Sequence, residues 1–380
     1  RTGAVDRAAN AGRTWLCHGR QDAGTAWTAP ALTATQVDEL VVPGSNDQEP
    51  PRRPPAAASG LFEGFNASEE RAAWDAIQAN GQRGRLILVL GPGMVDGLLP
   101  SADGIAEQWA EAYGFPFDEH NRSLPRVAQF VGSTRTPQYP RRKLLATYRE
   151  YLRRNYPEQT NGSETLGEAI RKVYPVIRTE DEPHYLAAQI RGVYNYLTTN
   201  YDSFMLEALK AADREPQQMD FQWFNDPDYW RDQAGYHDLE GDSPQPSLLS
   251  LYGSERHPDA IVVTEDDYID HSHALSPAHR KTVPKDLQTP LADSTYIFLG
   301  YDIRRFASRM LFRQLVRERH APPPGAPKNV VVVQVEPGEN ARDEGAPNDV
   351  VQPYYGHYQV AVCRLPLCDL LRKLRDEIDL

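Results

Sequence analysis

Short apolar runs alternate along most of the chain with longer segments that carry apolar residues at helical spacing. The clearest runs are 86–90, 194–199, 247–251, 260–264, 296–300, 329–336 and 358–363. Runs of this length, bounded by glycine or polar residues, are typical of strands that are buried on both faces. Because helical segments separate the runs, the pattern predicts an α/β protein with a doubly wound, Rossmann-like parallel sheet.

The segment between the first and second strands is largely helical by the same criterion. Apolar residues recur at helical spacing near 104–113, 141–155, 165–174 and 183–191. We therefore predict a helical insertion over residues 103–191. In contrast, residues 213–246 are polar and aromatic without a period, which predicts a long loop. Its aromatic residues either cover a site or simply hold the loop against the body of the domain.

The amino-terminal part of the chain differs in composition from the remainder. It contains the run SNDQEPPRRPPAAASG, whose prolines stiffen the chain and which offers almost no apolar surface to bury. We predict that residues 1–60 are an extension or a remnant of a neighbouring domain, followed by a proline-rich linker. Residues 61–380 are then predicted to form the Rossmann-like domain.

Composition excludes several classes of partner. A net charge of -12 on 380 residues argues against binding to nucleic acid or to an anionic membrane surface. Cys17, Cys363 and Cys368 are far apart, which suits a reducing compartment, and without a CxxC pair we expect no zinc or other metal site. No apolar run approaches the length of a membrane span, so we expect a cytoplasmic protein.

The stretch YNYLTTNYDSFMLEAL, residues 194–209, is the strongest candidate for a site. Its first half has the composition of a buried strand and its second half that of a helix, so Asn200 and Asp202 lie at the carboxyl end of a strand. Ligands bind at that edge in open α/β sheets. The alternative is structural: Asp202 caps the helix and Asn200 turns the chain.

Gly91 and Gly93 form a second candidate, because they directly follow the first predicted strand. Glycine lets a backbone approach a ligand closely, and the amides at the next helix start can hold a phosphate. The usual dinucleotide fingerprint is incomplete, since position 96 is Asp96 rather than a small residue. A kinase-type phosphate loop is absent because no GKS or GKT follows.

Four motifs occur in a fixed order: LILVLGPGM, then YLTTNYDSFMLEAL, then LLSLYGS followed by AIVVTEDDY, then YIFLGYDIRRFASRMLF. Together they resemble a bacterial sirtuin-like domain of the antiphage-defence type, over residues 84–374. The resemblance implies binding of NAD in a Rossmann-like sheet. It also implies hydrolysis of NAD to nicotinamide and ADP-ribose as a defence effector.

The resemblance also implies roles for individual residues. Asn200, Asp202 and Tyr252 are the implied catalytic residues, with Asn200 near the ribose next to nicotinamide and Asp202 near the carboxamide. Gly91 and Gly93 would face the diphosphate. The full implied NAD-binding set is Gly91, Pro92, Gly93, Met94, Thr199, Asn200, Asp202, Gly253, Gly300, Tyr301, Asp302 and Glu336.

Two departures from the family pattern keep a second function open. The family places a catalytic histidine where this chain has Tyr252, and an ordinary tyrosine stays protonated far above pH 7. Pro92 lacks an amide proton that could bind phosphate. His184 and His257 are either replacements for the missing base or ordinary surface or capping histidines.

Two functions therefore follow. The first is an NAD glycohydrolase of antiviral defence. The alternative is a catalytically weakened sensor or regulatory domain that binds NAD or ADP-ribose. A fused or separate sensor domain and a second copy of the chain are the further candidate partners.

Overall fold

The computed structural model describes residues 60–118, 122–224, 245–275, 294–302, 305–316, 330–335 and 360–378. These ranges contain seven strands: β1 (Leu86–Leu90), β2 (Val193–Thr198), β3 (Gln217–Asp220), β4 (Ser247–Ser250), β5 (Thr295–Leu299), β6 (Val331–Gln334) and β7 (Ala361–Cys363). The same ranges contain ten α-helices: α1 (Ala67–Gln82), α2 (Ala102–Tyr113), α3 (Leu124–Thr134), α4 (Tyr139–Asn155), α5 (Leu166–Ile177), α6 (Pro183–Gln189), α7 (Phe204–Ala211), α8 (Glu265–Ala274), α9 (Phe306–Val316) and α10 (Leu367–Ile378).

The seven strands form one parallel sheet in the order β3-β4-β2-β1-β5-β6-β7. The chain starts at the centre with β1, adds strands on one side through β4, and then adds β5 to β7 on the other side. The order therefore reverses between β1 and β5. The predicted fold class, a doubly wound Rossmann-like sheet with a helical insertion between the first two strands, is confirmed.

Both faces of the sheet are covered, as a parallel sheet requires. Every residue of β1 is buried, and its side chains alternate between two apolar clusters. Leu86, Leu88 and Leu90 face one cluster, while Ile87 and Val89 face the other. This two-sided burial explains why the strand is a continuous apolar run.

The insertion lies beside the carboxyl edge of the sheet. Helices α3 and α4 contact α8 and the turn at 258–260, and both of these elements follow the carboxyl end of β4. Arg141 of α4 donates through Nε to the carbonyl oxygen of Ile261 at 2.9 Å. Gln129 of α3 hydrogen-bonds to Asp266 at 2.7 Å. The insertion therefore helps to hold the loops that border the candidate site.

Two predictions about strands were wrong. Residues 213–246 were predicted as a loop, but Gln217–Asp220 forms the edge strand β3, which pairs with β4. Its sequence QQMD has a single apolar residue, so the pairing depends on the neighbouring strand rather than on local composition. No strand forms in the predicted 260–264 run.

The apolar residues of that run are buried without being in the sheet. Instead, the carbonyl oxygen of Val262 accepts from the Tyr201 hydroxyl at 2.7 Å. The amides of Val263 and Thr264 donate to the Asp267 carboxylate at 3.0 Å and 2.9 Å. These side-chain hydrogen bonds, together with the bond from the Val262 amide to Tyr252 O at 3.1 Å, replace the partner strand, which composition alone does not reveal. No helix in the described ranges combines the length and hydropathy that crossing a bilayer requires.

Candidate functional site

Two glycine turns meet where the strand order reverses, at the carboxyl ends of β1 and β5. Gly91 precedes a 3-10 turn over Pro92–Val95, and Gly300 follows β5 with φ of 68°. The Gly93 amide donates to the Gly300 carbonyl oxygen at 2.9 Å. A Cβ atom added to Gly93 would lie 2.8 Å from Gly300 Cα, so this backbone contact requires glycine. Ligands of open α/β sheets bind at such a reversal.

The backbone amides of the first glycine turn are already hydrogen-bonded within the protein. The Gly91 amide donates to Leu299 O at 2.8 Å, and the Met94 amide donates to Gly91 O at 3.1 Å. Pro92 has no amide proton, and the Met94 side chain is buried in the core. Packing of the two turns therefore explains these residues, and their contact with a diphosphate stays a prediction.

Asn200 lies directly against this turn. Its Nδ2 donates to the Gly91 carbonyl oxygen at 2.9 Å, and its backbone amide donates to Thr198 Oγ1 at 3.0 Å. The side chain is buried, with 6% of the residue exposed. Within the described ranges, Oδ1 of Asn200 has no hydrogen-bond partner. The structure thus brings Asn200 and Gly91 together and leaves one amide oxygen for a ligand.

Tyr301 fills the space above the end of β1. Its hydroxyl donates to Leu90 O at 3.1 Å and lies 3.0 Å from Thr199 Oγ1. Its ring comes within 2.8 Å of the position that a Cβ atom on Gly91 would occupy. Tyr301 therefore ties the ends of three strands together. A ligand above Gly91 would contact the Tyr301 ring or move it.

Asp202 caps helix α7, as the structural alternative predicted. Its Oδ1 accepts a hydrogen bond from the Phe204 amide at 2.9 Å. Ser203, which precedes the helix, makes no capping hydrogen bond through its side chain. Burial raises the pKa of Asp202 above its ordinary value, while the nearby His184 opposes that shift. Asp202 therefore stabilises the helix whether or not it also contacts a ligand.

His184 belongs to a buried network beneath α7. Its Nδ1 lies 2.6 Å from Glu182 Oε1, and its ring packs against that of Phe204. Glu182 also accepts from the Tyr174 hydroxyl at 2.7 Å and from the Tyr185 amide at 2.8 Å.

The charges in this network support each other. Burial alone would raise the pKa of Glu182, but the charge of His184 and the hydrogen bonds lower it to about 2. Burial opposes protonation of His184, but the Glu182 carboxylate raises the pKa of His184. His184 is 1% exposed and paired. It therefore supports α6 and α7 and is not placed to activate water.

Tyr252 is buried in the second apolar cluster, at the position where the resemblance implies a base. Its ring packs edge-on against Tyr268 at 5.4 Å and His271 at 4.9 Å between centroids. Burial raises the pKa of Tyr252 well above 10, so the hydroxyl remains protonated at neutral pH. The next residue, Gly253, has φ of 75°, and a Cβ atom there would lie 2.4 Å from the Ala260 carbonyl carbon. Tyr252 cannot accept a proton from water near pH 7.

A cluster of tyrosines was not predicted from the sequence. Tyr148, Tyr201 and Tyr268 join Tyr252 and Tyr301, and neighbouring tyrosines in this group influence each other's pKa. Burial raises the pKa of every member, to about 12 for Tyr268. Because the members come from α4, α8 and three loops, no local motif marks the cluster. Aromatic faces of this kind attract a nearby positive charge.

Two other predicted residues lie farther along this edge. Asp302 lies 3.9 Å from Arg305 Nε, and Arg305 also binds Asp103 of α2 through two hydrogen bonds of 2.9 Å and 2.6 Å. Arg305 thus connects the start of the insertion to the start of α9. Glu336 lies outside the described residues. In the ranges that the structure describes, no group of three or more His, Cys, Asp or Glu side chains could hold a metal ion.

The fold and this edge together define an α/β protein with a Rossmann-like sheet and a candidate ligand site at its strand-order reversal. Residues 195–350 match the family model described as a SIR2-like domain. The match supports a sirtuin-like domain in this part of the chain, and it includes Asn200, Tyr252 and Tyr301 but begins after Gly91. The SIR2-like family includes members that bind or hydrolyse NAD. No curated protein matches the chain.

Proposed function

We propose that this chain binds NAD at the carboxyl edge of its sheet, between the ends of β1, β2 and β5, and cleaves it to nicotinamide and ADP-ribose. The observation that carries the proposal is the contact of Asn200 with Gly91 at the strand-order reversal. Asn200 lies within the SIR2-like match. The biological role that we propose is depletion of NAD as an antiviral defence effector in the bacterial cytoplasm.

The reaction needs little from the protein besides orientation and charge stabilisation. When the bond between nicotinamide and ribose breaks, its electron pair moves to the pyridine nitrogen, and nicotinamide leaves as a neutral molecule. The ribose becomes positively charged in the transition state. Preorganised oxygens near that charge lower the barrier, because they need not reorganise during the reaction.

The side chains at this edge fit such a transition state. Asn200 presents Oδ1, and its Nδ2 is anchored to Gly91. Asp202 holds a fixed orientation through its hydrogen bond to Phe204. The tyrosine cluster provides aromatic faces beside the site and limits the access of water, which strengthens electrostatic interactions there.

A second function, binding without turnover, is favoured by one specific observation. Tyr252 stands where the resemblance implies a histidine, and its buried hydroxyl cannot act as a base near pH 7. On that basis, the chain would be a sensor that binds NAD or ADP-ribose and reports its presence to a partner domain.

Nicotinamide release separates the two functions. We expect the purified chain to release nicotinamide from NAD, measured by chromatography. Asn200→Ala should lower the rate about 100-fold, the usual effect of removing one preorganised polar group. Asn155→Ala is the matched control, because Asn155 lies exposed at the end of α4, where its side chain donates to the Tyr151 carbonyl oxygen at 2.9 Å.

Because Asn200 also contacts Gly91, the variant must be shown to fold. Asn200→Asp is a second variant, which keeps the shape of the side chain and an oxygen at Oδ1. Circular dichroism shows whether both variants are folded. Tight binding of NAD by calorimetry with no release by the unmodified chain would favour the sensor. Neither binding nor release would reject both functions.

A further inference from the structure

Two buried polar atoms face each other on the other half of the carboxyl edge without a hydrogen bond. Asp220 Oδ2 and His257 Nδ1 lie 3.7 Å apart, and neither has a hydrogen-bond partner among the described residues. The Asp220 side chain is only 2% exposed, whereas that of His257 is 33% exposed. Buried polar atoms are nearly always paired, so this exception requires an explanation.

The sheet places Asp220 in line with the candidate NAD site. Asp220 is the last residue of β3 and pairs in register with Ser250, which pairs in register with Thr198. Two strand spacings amount to roughly 10 Å. Asp220 therefore ends its strand at the same level as Thr198, whose side chain accepts from the Asn200 amide. A ribose bound above β4, midway between these two strand ends, would lie roughly 5 Å from each of them.

His257 reaches this position through the loop that follows β4. The loop begins with the Tyr252-Gly253 turn, and the His257 amide donates to Ser254 O at 3.2 Å. Trp223, just after β3, fixes the far end of the loop by donating to Ala260 O at 3.1 Å. His257 therefore lies five residues after the position where the resemblance implies a base.

None of the charged groups described around this pair hydrogen-bonds to the imidazole of His257. Arg256 Nη1 lies 3.7 Å from Asp220 Oδ2, which is beyond hydrogen-bond distance. Glu255 accepts from the Gly167 amide at 2.7 Å and is thereby engaged elsewhere. Asp259, on the same loop, is the remaining charged neighbour in sequence. Because Nδ1 of His257 faces Asp220, Nε2 is the nitrogen left for a substrate.

We propose that His257, oriented by Asp220, is the base that removes a proton from the attacking water, the role that Tyr252 cannot perform. The inference rests on the proposed cleavage of NAD. The water oxygen bonds to the ribose carbon as the bond between that carbon and nicotinamide breaks. The electron pair of the broken bond stays on the pyridine nitrogen, and nicotinamide leaves as a neutral molecule. His257 Nε2 takes the proton, the Asp220 carboxylate stabilises the imidazolium, and solvent later removes that proton. Catalytic pairs are often longer than hydrogen bonds before substrate binds, so the 3.7 Å separation suits this role.

Comparison of hydrolysis with nicotinamide exchange tests the pair. Exchange of labelled nicotinamide into NAD needs the bond to break but needs no water, whereas hydrolysis needs both. We expect His257→Ala to lower hydrolysis by about 100-fold or more while exchange changes less than threefold, because general bases contribute factors of this size. Asp220→Asn should lower hydrolysis less than His257→Ala and also spare exchange. Added imidazole should partly restore hydrolysis by His257→Ala.

His273→Gln provides the matched control, because His273 lies exposed on α8. Equal loss of hydrolysis and exchange in His257→Ala would indicate a structural role and overturn the inference. Unchanged hydrolysis would overturn it as well. If the unmodified chain exchanges nicotinamide but does not hydrolyse NAD, the site breaks the bond between ribose and nicotinamide, but His257 does not activate water. If the unmodified chain does neither, the proposed function fails and the inference fails with it.

Discussion

The two halves of the carboxyl edge differ in how completely their polar groups are paired. On the β1 and β5 side, the amides of Gly91 and Gly93 and the hydroxyl of Tyr301 all bond within the protein. On the β3 and β4 side, Asp220 and His257 each present a buried atom without a hydrogen bond, although these two atoms lie 3.7 Å apart. The hydrogen bonds of the β1 and β5 half stabilise the fold. Buried polar atoms without hydrogen bonds, as on the β3 and β4 half, lower stability, and natural proteins tolerate them mainly where the group has a chemical role.

Glu182 and His184 form a buried pair that is fully hydrogen-bonded, in contrast to Asp220 and His257. Breaking this pair should change the free energy of unfolding more than any other substitution considered below. Glu182→Gln should lower the free energy of unfolding by about 3 to 5 kcal/mol near pH 6, because it leaves a buried imidazole without its carboxylate. Urea unfolding at a series of pH values measures this loss.

The pH dependence has a defined sign. Glu182, with a folded-state pKa lowered to about 2 from 4.5, contributes stability above pH 4.5 that is lost as the pH falls toward 2. His184, with a raised folded-state pKa, contributes stability below 6.5 that is lost as the pH rises through its folded-state pKa. The difference between the two proteins should therefore shrink on both sides of pH 4.5 to 6.5. A constant difference, or an equal loss in the exposed control Glu111→Gln, would contradict the pairing.

Close packing of the glycine turns should produce the next largest effect. Gly300→Ala should lower the free energy of unfolding by about 2 to 4 kcal/mol, because it combines positive φ with a backbone clash. The added Cβ atom would lie 2.9 Å from Gly93 Cα. Gly97→Ala is the control, since Gly97 has φ of 79° but open space around its Cβ position. Thermal unfolding of the two variants isolates the clash, and equal losses would show that the turns can separate.

A substitution on the β3 and β4 half of the edge should raise, rather than lower, the free energy of unfolding. Asp220→Asn should raise the free energy of unfolding by about 1 kcal/mol, because the charge that it removes is buried and accepts no hydrogen bond at Oδ2. Its ion partners Arg256 and His257 lie 3.7 Å away and are partly exposed, so they compensate the buried charge weakly. Asp270→Asn, at an exposed position of α8, should change it by less than about 0.5 kcal/mol. Urea unfolding measures both variants. A loss of stability in Asp220→Asn would mean that the carboxylate has a structural role, and the contrast between the two halves would disappear.

The sequence predicted the strands that are buried on both faces much better than it predicted the strand at the sheet edge. The run LILVL over Leu86–Leu90 matched β1 residue for residue, because continuous apolar composition is itself the requirement for two-sided burial. β3 was missed because an edge strand needs little apolar surface. The strand predicted at 260–264 does not form. The apolar residues of this run are buried as expected, but Arg141, Tyr201 and Asp267 bond to its backbone in place of a neighbouring strand.

The candidate site was only partly predictable. Chain direction in a parallel sheet places Asn200 and Gly91 at the same edge, so their contact followed from the order of elements. The capping role of Asp202 also followed from its position before a helix. The tyrosine cluster and the pair of Asp220 and His257 did not, since their members are separated by tens of residues and carry no shared motif.

The amino-acid sequence by itself determined the layered α/β fold, the glycine turns after the central strands and the edge on which the amide of Asn200 lies. Strand burial, glycine geometry and helix capping depend on neighbouring residues, and the chain records them locally. The tertiary structure alone decided which polar atoms are paired. Pairing requires donor and acceptor within about 3 Å, and for Gly93 with Gly300, or for Asp220 with His257, only the folded sheet sets that distance.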